Sequence, residues 1–222
     1  INILAASLRS ICVFCGSSPG THGEFQAAAV QLGQLLAENR LEMVYGGGRH
    51  GLMGLCADSS IAARGKVTGV IPRMLMEREH GHSGITHLEV VENMHERKAR
   101  MAELSDAFVA LPGGIGTLEE LLEVTTWAQL GIHEKPVAIV NTLGYYDPLL
   151  AMLASAHEHG FLRREDANRL IVGATPSETL DKLRSFPSKT IEFARNQIIR
   201  PYVSERCGIG RMATASAARG PG

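Results

Sequence analysis

The chain alternates between short apolar runs and longer segments in which apolar residues recur at helical spacing. The short runs predict strands at residues 10–15, 41–45, 66–71, 86–91, 106–111 and 136–140, and a short last strand at 171–172. The longer segments predict helices at residues 23–38, 52–63, 94–105, 118–130, 148–159 and 177–183. Strands that alternate with helices form a mostly parallel sheet covered on both faces, so the pattern indicates an α/β fold with three layers, α/β/α.

Length and composition bound the class of protein. The 222 residues suffice for one well-packed domain, predicted at residues 1–184, followed by a tail at 185–222 that is expected to be flexible or loosely docked. No apolar run reaches the ~18 residues that a membrane helix needs, and the first residues lack a signal-peptide layout. With a formal net charge of −1, we expect a cytoplasmic protein that attracts neither nucleic acid nor membranes.

Cys12 and Cys15 have the C-x-x-C spacing known from redox and zinc sites. They lie in a predicted strand, where residues three apart point to opposite faces, so we interpret them as buried structural thiols. His80 and His82 lie two apart in a glycine-containing loop, where such a pair is more often at the surface than bound to metal. We therefore predict no metal site.

The segment PGGIGTLEE at residues 112–120 joins a predicted strand directly to a predicted helix. Gly113, Gly114 and Gly116 permit backbone angles closed to other residues and leave room for a ligand. The free amides and the dipole of the following helix form an anion site. Glu119 and Glu120 are expected in the first helical turn, and carboxylates beside an anion site suit a phosphorylated substrate whose reaction develops positive charge.

A structural interpretation of the same segment is also open. Thr117 and Glu120 fit the S/T-x-x-E capping box, in which each side chain bonds the other residue's backbone N–H. The three glycines and a second group of charged residues favour the functional role, and the two roles do not exclude each other.

The second group of charged residues lies in ENMHERKARM, residues 92–101, where a helix is predicted to begin just after the fourth strand. Arg97 and Lys98 place positive side chains at the edge of the sheet where ligands bind. Arginine offers a planar fork for phosphate or carboxylate, and lysine a point charge. The alternative is a solvated helix face on which Glu96 and Arg100 form an ordinary i,i+4 pair.

A third segment, GGGRHG at residues 46–51, matches the dinucleotide-binding pattern G-x-G-x-x-G after a strand. The NAD version requires an acidic residue at the end of the next strand, where this chain has Arg73, which suits a 2′-phosphate instead. We interpret Gly47 and Gly48 as a wall for phosphate or ribose, with NADP binding as the alternative. Ser17, in the GSSPG turn at residues 16–20, lies at the same predicted edge.

These motifs resemble those of the Lonely Guy family, the cytokinin riboside 5′-monophosphate phosphoribohydrolases, whose members have often been labelled lysine decarboxylases by mistake. PGGIGTLEE matches the family signature P-G-G-x-G-T-x-x-E. The similarity extends to SICVFCGSSPG (10–20), YGGGRHGLMG (45–54), MHERKARM (94–101) and WAQLGIHEKP (127–136). It covers roughly residues 10–183, and nothing carries over onto the N-terminal extension or the tail.

The resemblance implies a Rossmann-like fold, a homodimer with sites near the subunit contact, and no metal or nicotinamide cofactor. It also implies hydrolysis of the N-glycosidic bond of a nucleoside 5′-monophosphate to a free adenine-type base and ribose 5-phosphate. Arg97 and Glu120 are then the essential, catalytic pair. The resemblance implies that Glu79, Lys98, the 114–120 loop and Thr126 line the substrate site. With the residues taken from the turns, the predicted substrate contacts are Ser17, Gly47, Gly48, Glu79, Arg97, Lys98, Gly113, Gly114, Ile115, Gly116, Thr117, Leu118, Glu119, Glu120 and Thr126.

The implied reaction agrees with the chemistry of these side chains. Breaking a ribosyl–base bond passes through an oxocarbenium-like state, which the carboxylate of Glu120 can stabilise, or for which it can orient water. Arg97 either positions ribose and phosphate or assists departure of the base. Two other functions stay open: an NADP-dependent oxidoreductase, and a non-catalytic nucleotide-binding or carrier module, because one fold serves many functions.

Overall fold

The computed structural model describes residues 8–76 and 81–186, and these residues form a seven-stranded sheet with helices on both sides. The strands are β1 (Ser10–Phe14), β2 (Glu42–Tyr45), β3 (Val67–Pro72), β4 (His87–Val91), β5 (Ala107–Ala110), β6 (Val137–Val140) and β7 (Ile171–Gly173). The helices are α1 (Gly23–Glu38), α2 (Gly51–Ala62), α3 (Met94–Glu103), α4 (Ile115–Gln129), α5 (Asp147–Glu158), α6 (Arg164–Ala167) and α7 (Pro176–Arg184), with 3₁₀ turns at Arg73–Leu75 and Thr142–Gly144.

The strands and helices predicted from the apolar pattern are confirmed; the short helix α6 and the two 3₁₀ turns were not predicted. Each pair of neighbouring strands is parallel, which confirms the three-layer α/β class and the Rossmann-like fold. In the part of the chain that the structure describes, no helix is both long and apolar enough to span a membrane. The predicted tail lies outside the described residues from position 187 onward.

The strand order, β4-β3-β2-β1-β5-β6-β7, fixes where a ligand binds. The chain builds the sheet outward from β1 to β4, and then returns to place β5 on the other side of β1. This reversal makes the gap between the carboxyl ends of β1 and β5 a topological switch point, the usual ligand position in open parallel sheets. The turn after β1 and the glycine loop after β5 both lie there.

Alternate side chains of β1 enter two different apolar layers. Ile11 and Val13 pack with α1, α2 and α7, whereas Cys12 and Phe14 pack with α3 and α4 on the opposite face. Cys15, just after the strand, belongs to the first layer, so the two thiols of the C-x-x-C pattern point to opposite faces. Both are buried and free, as the period-2 geometry of a strand predicts.

Local hydrogen bonds fix the start of α3. The Asn93 side chain accepts the backbone N–H of Glu96 at 2.9 Å, and the Glu96 carboxylate accepts the backbone N–H of Glu92 at 3.0 Å. Arg100 instead donates to Glu89 at 2.8 Å. The alternative i,i+4 pair of Glu96 with Arg100 is therefore wrong, because the cap of α3 engages the glutamate and β4 supplies the arginine's partner.

Candidate active site

The loops that follow β1 and β5 are joined at the carboxyl edge of the sheet. The Gly16 N–H donates to the Pro112 carbonyl at 3.1 Å, and the Leu52 N–H in the first turn of α2 donates to the Gly16 carbonyl at 3.0 Å. A Cβ on Gly113 would lie 2.8 Å from the Gly16 nitrogen, so this close approach requires glycine at position 113. The loop after β1 thus connects the glycine loop to α2.

Helix α4 begins directly after Gly114, its N-cap residue. Thr117 is therefore the third helical residue, and the capping box predicted for Thr117 and Glu120 is wrong. The helix starts early because Gly113 leaves the space that the buried Thr117 side chain fills: a Cβ on Gly113 would lie 2.2 Å from Thr117 Oγ1. The first turn carries no acidic residue, so Glu119 and Glu120 lie in the second turn, contrary to prediction.

The first turn of α4 is open on its outer side. No described atom lies within 4 Å of the position that a Cβ on Gly114 or Gly116 would take, and Ile115 between them is 87% exposed. The Leu118 N–H makes the first intrahelical bond, to the Gly114 carbonyl at 3.1 Å. The amides of the three preceding residues have no acceptor within the helix, so with the helix dipole they suit an anion such as phosphate.

Two tyrosines that the sequence analysis did not single out hold the glycine loop in place. The Tyr145 hydroxyl donates to the Gly113 carbonyl at 2.5 Å, and the buried Tyr146 hydroxyl donates to the Leu111 carbonyl at 2.7 Å. Both follow β6, whose carboxyl end lies at the same edge of the sheet. The glycine turns were selected because they directly follow strands, and the same criterion could have identified Tyr145 and Tyr146.

Arg97 is buried, with 6% of its surface exposed, and it is held by one main-chain carbonyl of β3 and one directly after β2. Its Nε donates to the Val70 carbonyl at 3.2 Å, and its Nη2 donates to the Gly46 carbonyl at 3.0 Å. A Cβ on Gly46 would lie 1.8 Å from Nη2, so the first glycine of the GGGRHG segment makes room for an arginine. This steric role accounts for that glycine without a dinucleotide.

Arg97 and Glu120 act electrostatically on the same two thiols. Burial raises the pKa of Cys12 well above its ordinary value, Glu120 raises it further, and Arg97 lowers it. The pKa of Cys15 is also raised mainly by burial, with Cys56 and Glu120 adding to the rise and Arg97 opposing it. Both predicted catalytic side chains are therefore close enough to Cys12 and Cys15 for their charges to affect these thiols.

Lys98, a predicted substrate contact, bonds two carboxylates of α4. Its Nζ donates to Glu119 at 2.5 Å and to Glu123 at 3.0 Å. Burial lowers the pKa of Lys98, but the bonds to the two glutamates outweigh burial and raise this pKa above its ordinary value. The lysine is therefore charged at neutral pH and links α3 to α4.

The predicted wall of Gly47 and Gly48 is covered by the chain itself. Both glycines are buried; the Gly47 carbonyl accepts the His82 N–H at 2.9 Å, and Gly48 forms an isolated antiparallel bridge with Gly81. Gly47 has a φ of 76°, which favours glycine. Ser17 is exposed in the loop after β1, on the side of the switch point.

Two further predicted contacts do not lie on the open side of the first turn of α4, and a third lies outside the described residues. Leu118 is half-buried and packs into the layer of α3 and α4. Thr126 is exposed, donates its hydroxyl to the Leu122 carbonyl at 2.7 Å, and lies about 18 Å along the helix from Gly114. A phosphate at the helix start therefore leaves Thr126 far from the ribose of the same site. Glu79 lies outside the described residues.

His82 is buried, so the expectation that it lies at the surface is wrong, and His80 lies outside the described residues. The Nδ1 of His82 accepts the Gly84 N–H at 3.2 Å, which leaves its Nε2 to donate to Asp58 at 2.9 Å. Both ring nitrogens of the buried His82 therefore have hydrogen-bond partners. Arg73, the proposed 2′-phosphate contact, pairs with Glu92. Among residues 8–76 and 81–186, no group of three or more His, Cys, Asp or Glu side chains could hold a metal ion.

A buried polar group at the other end of α3 was also missed from the sequence. Lys135 donates its Nζ to the Ala102 carbonyl at 2.7 Å, and its backbone N–H donates to His133 Nδ1 at 3.1 Å. His133 Nε2 in turn donates to the Val124 carbonyl at 2.9 Å. Burial lowers the pKa of Lys135 and lowers that of His133 to about 4. These bonds connect the end of α3 with α4.

The edge combines three chemical capacities. An anionic group can bind at the open start of α4, a half-buried carboxylate can stabilise positive charge nearby, and a buried guanidinium presents a fixed positive charge at the same strand ends. That combination suits a reaction in which a phosphorylated molecule develops positive charge.

Comparisons with known proteins give a consistent result. The family model described as "Possible lysine decarboxylase" matches residues 53–183. The cytokinin riboside 5′-monophosphate phosphoribohydrolase LOG of Oryza sativa subsp. japonica is 51% identical over 179 residues, which cover 80% of this chain and 74% of that protein. The cytokinin riboside 5′-monophosphate phosphoribohydrolase LOG7 of Arabidopsis thaliana is 52% identical over 172 residues, which cover 78% of this chain and 79% of that protein.

Solved structures share the fold at lower identity. The molybdenum cofactor carrier protein of Chlamydomonas reinhardtii superposes with a TM-score of 0.61 at 19% identity, covering 80% of this chain and 96% of that one. The molybdenum cofactor binding protein of Rippkaea orientalis has a TM-score of 0.62 at 22% identity, covering 81% and 97%. At these identities, the likeness extends to the fold alone.

Proposed function

The chain belongs to the Lonely Guy family of cytokinin riboside 5′-monophosphate phosphoribohydrolases, and we propose that it hydrolyses the N-glycosidic bond of N6-modified adenosine 5′-monophosphates. The products are a free adenine-type base and ribose 5-phosphate. The reaction adds water across the bond: the bond between ribose and base breaks with its electron pair on the base, which takes up a proton, and the water oxygen joins the anomeric carbon.

The open first turn of α4 is the observation that carries this proposal. Its amides have no acceptor within the helix, and Gly114 and Gly116 leave the approach to them clear. The 5′-phosphate binds there, and the nucleotide extends from it along the carboxyl ends of β1 and β2. Binding energy from this remote group orients the ribose for reaction.

Glu120 supplies the negative charge for the reaction. It lies in the second turn of α4 and is half-buried, and its charge raises the pKa of Cys12 in β1. A carboxylate in this position stabilises the oxocarbenium-like ribose and orients the attacking water. Arg97 positions ribose and phosphate, because a guanidinium does not give up its proton in proteins and two main-chain carbonyls fix its position.

The other two functions have less support from the site. The NADP-dependent oxidoreductase was based on the segment 46–51 and on Arg73. Arg97 bonds the Gly46 carbonyl, Gly47 and Gly48 are buried, and Arg73 pairs with Glu92. A non-catalytic carrier module rests on a shared fold alone, and fold does not fix function.

One set of incubations separates the three functions. The protein is mixed with AMP, with N6-isopentenyladenosine 5′-monophosphate or with NADPH; free base is measured by chromatography and binding by calorimetry. Release of base with an equal amount of ribose 5-phosphate supports the hydrolase. Nucleotide binding without turnover supports the carrier, and tight NADPH binding without base release supports the oxidoreductase.

A second copy of the chain fits the outer face of α4, and the homodimer is part of this proposal. Ile115, Leu122, Thr126 and Leu130 share one face of the helix, and the three apolar residues among them are exposed. Thr126 lies far from the glycine loop of its own chain, so a contact along this face places it near a partner's site. The cytoplasmic location stays a prediction.

A further inference from the structure

Lys98 connects the two helices that carry the catalytic pair. It follows Arg97 directly on α3, and its partner Glu119 directly precedes Glu120 on α4. The Nζ–Oε1 distance is 2.5 Å to Glu119 and 3.0 Å to Glu123, one helical turn further along α4. The ion pairs therefore lie immediately beside the two side chains assigned to the reaction.

The charge of Lys98 is already matched by protein groups. Only 12% of its side chain is exposed, and Glu123 is 25% exposed. Two carboxylates face one ammonium group, so the net charge of this cluster is negative. A negative cluster repels phosphate, which is the opposite of what a phosphate contact requires.

The Lys98 ion pairs link the two helices on the side of the catalytic pair, whereas Lys135 and His133 connect them at the other end of α3. Helix α3 packs on β3 and β4, whereas α4 packs on β1 and β6, so the helices rest on different strands of the same face. Side chains between them therefore set their separation. A misplacement of about 1 Å at a reacting centre costs roughly a hundredfold in rate.

We propose that Lys98, with Glu119 and Glu123, is a positioning clamp that holds α3 against α4 and so fixes Arg97 relative to Glu120, and that Lys98 does not bind the substrate phosphate. This inference rests on the proposed function. If Lys98 positions the two helices, its loss lowers kcat, because the catalytic side chains are displaced. If Lys98 bound the phosphate, its loss would instead raise KM.

Removing the glutamates separates the two roles by the sign of the effect. In the Glu119→Gln/Glu123→Gln variant, the clamp is lost, and kcat for base release falls at least tenfold with KM within about threefold of wild type. If Lys98 binds phosphate, the same variant frees its charge, so kcat is kept and KM falls. Glu103→Gln is the matched control: it removes an ion pair with Arg100 inside α3 and leaves kcat within twofold.

A charge exchange and a product-binding measurement complete the test. The Lys98→Glu/Glu123→Lys variant restores at least one opposite-charge pair and recovers kcat relative to Lys98→Glu alone. Lys98→Met binds ribose 5-phosphate within threefold of wild type by calorimetry, and each variant's fold is checked by circular dichroism. An unchanged kcat in the double glutamine variant, or a tenfold loss of ribose 5-phosphate affinity in Lys98→Met, overturns the clamp alone. A wild-type protein that releases no base overturns the proposed function and the clamp with it.

Discussion

Replacing Gly46 with alanine tests how the turn after β2 positions the arginine. The alanine Cβ would lie 1.8 Å from Arg97 Nη2 and 2.9 Å from Cζ. Gly46 does not have a positive φ, so the backbone accepts alanine, and the collision is the whole perturbation. To reach ordinary van der Waals separation, the guanidinium must move by on the order of 1.6 Å.

The magnitudes separate activity from stability. The displaced guanidinium loses its 3.0 Å bond to the Gly46 carbonyl, and a hydrogen bond to a charged group is worth about 1.5–3 kcal/mol. Because the moving group is the end of a flexible side chain, the rest of the core stays in place, and the melting temperature drops by roughly 5 °C. A displacement above 1 Å at the reacting centre is expected to lower kcat about a hundredfold or more.

The assay is base release from N6-isopentenyladenosine 5′-monophosphate, with thermal denaturation of the same samples. Gly23→Ala is the control, because it makes the same chemical change where no described atom lies within 4 Å of the new Cβ. It should leave both kcat and melting temperature near wild type. A Gly46→Ala variant with kcat within threefold of wild type would refute the role assigned to Arg97's position.

Three further predictions concern pH, assembly and substrate. In the folded chain, mainly burial lowers the pKa of His133 to about 4, so between pH 6.5 and 4 His133 is protonated in the unfolded chain but not in the folded one. The contribution of neutral His133 to the free energy of unfolding is therefore fully present above pH 6.5, and it falls by roughly 3 kcal/mol as the pH drops to 4. Denaturant unfolding at several pH values checks this, and a pH dependence that is the same in His133→Asn contradicts it. Leu122→Glu places a charge on the apolar face of α4 and should give monomers by sedimentation equilibrium, whereas a monomeric wild type at micromolar concentration would refute the dimer. Finally, kcat/KM for AMP should exceed that for adenosine at least about tenfold, because the phosphate binds at the helix start; equal values count against that site.

The fold could be predicted because its signals are local and repeated. Each apolar run forms a strand of three to six residues, and each periodic segment between runs forms a helix. Parallel strands place all their carboxyl ends at one edge, so the glycine turns after β1, β2 and β5 could be assigned to a common site without knowing any contact. The pairing of Arg97 with Glu120 came from the family resemblance.

What could not be predicted depends on contacts between distant residues. Gly46 and Arg97 are 51 positions apart, and no local pattern shows that a guanidinium fills the space of the missing Cβ. The pattern T-x-x-E at Thr117 is a valid local signal, but the packing of that side chain against Gly113 starts the helix three residues earlier. His82, in the loop before β4, can be buried because the Asp58 carboxylate on α2 accepts a hydrogen bond from its Nε2.

The measurement that tests the central claim most directly is the rate of base release from N6-isopentenyladenosine 5′-monophosphate by wild type and by Glu120→Gln. The substitution keeps the shape of the side chain and removes the negative charge. Since Glu120 is not part of a helix cap, stability should be near native, and substrate affinity should change little because the charge acts when the sugar becomes cationic. We expect wild type to release base and ribose 5-phosphate in equal amounts, with kcat lower by on the order of a hundredfold in Glu120→Gln. A variant that turns over at close to the wild-type rate would contradict the assignment of Glu120 as the carboxylate that drives the reaction.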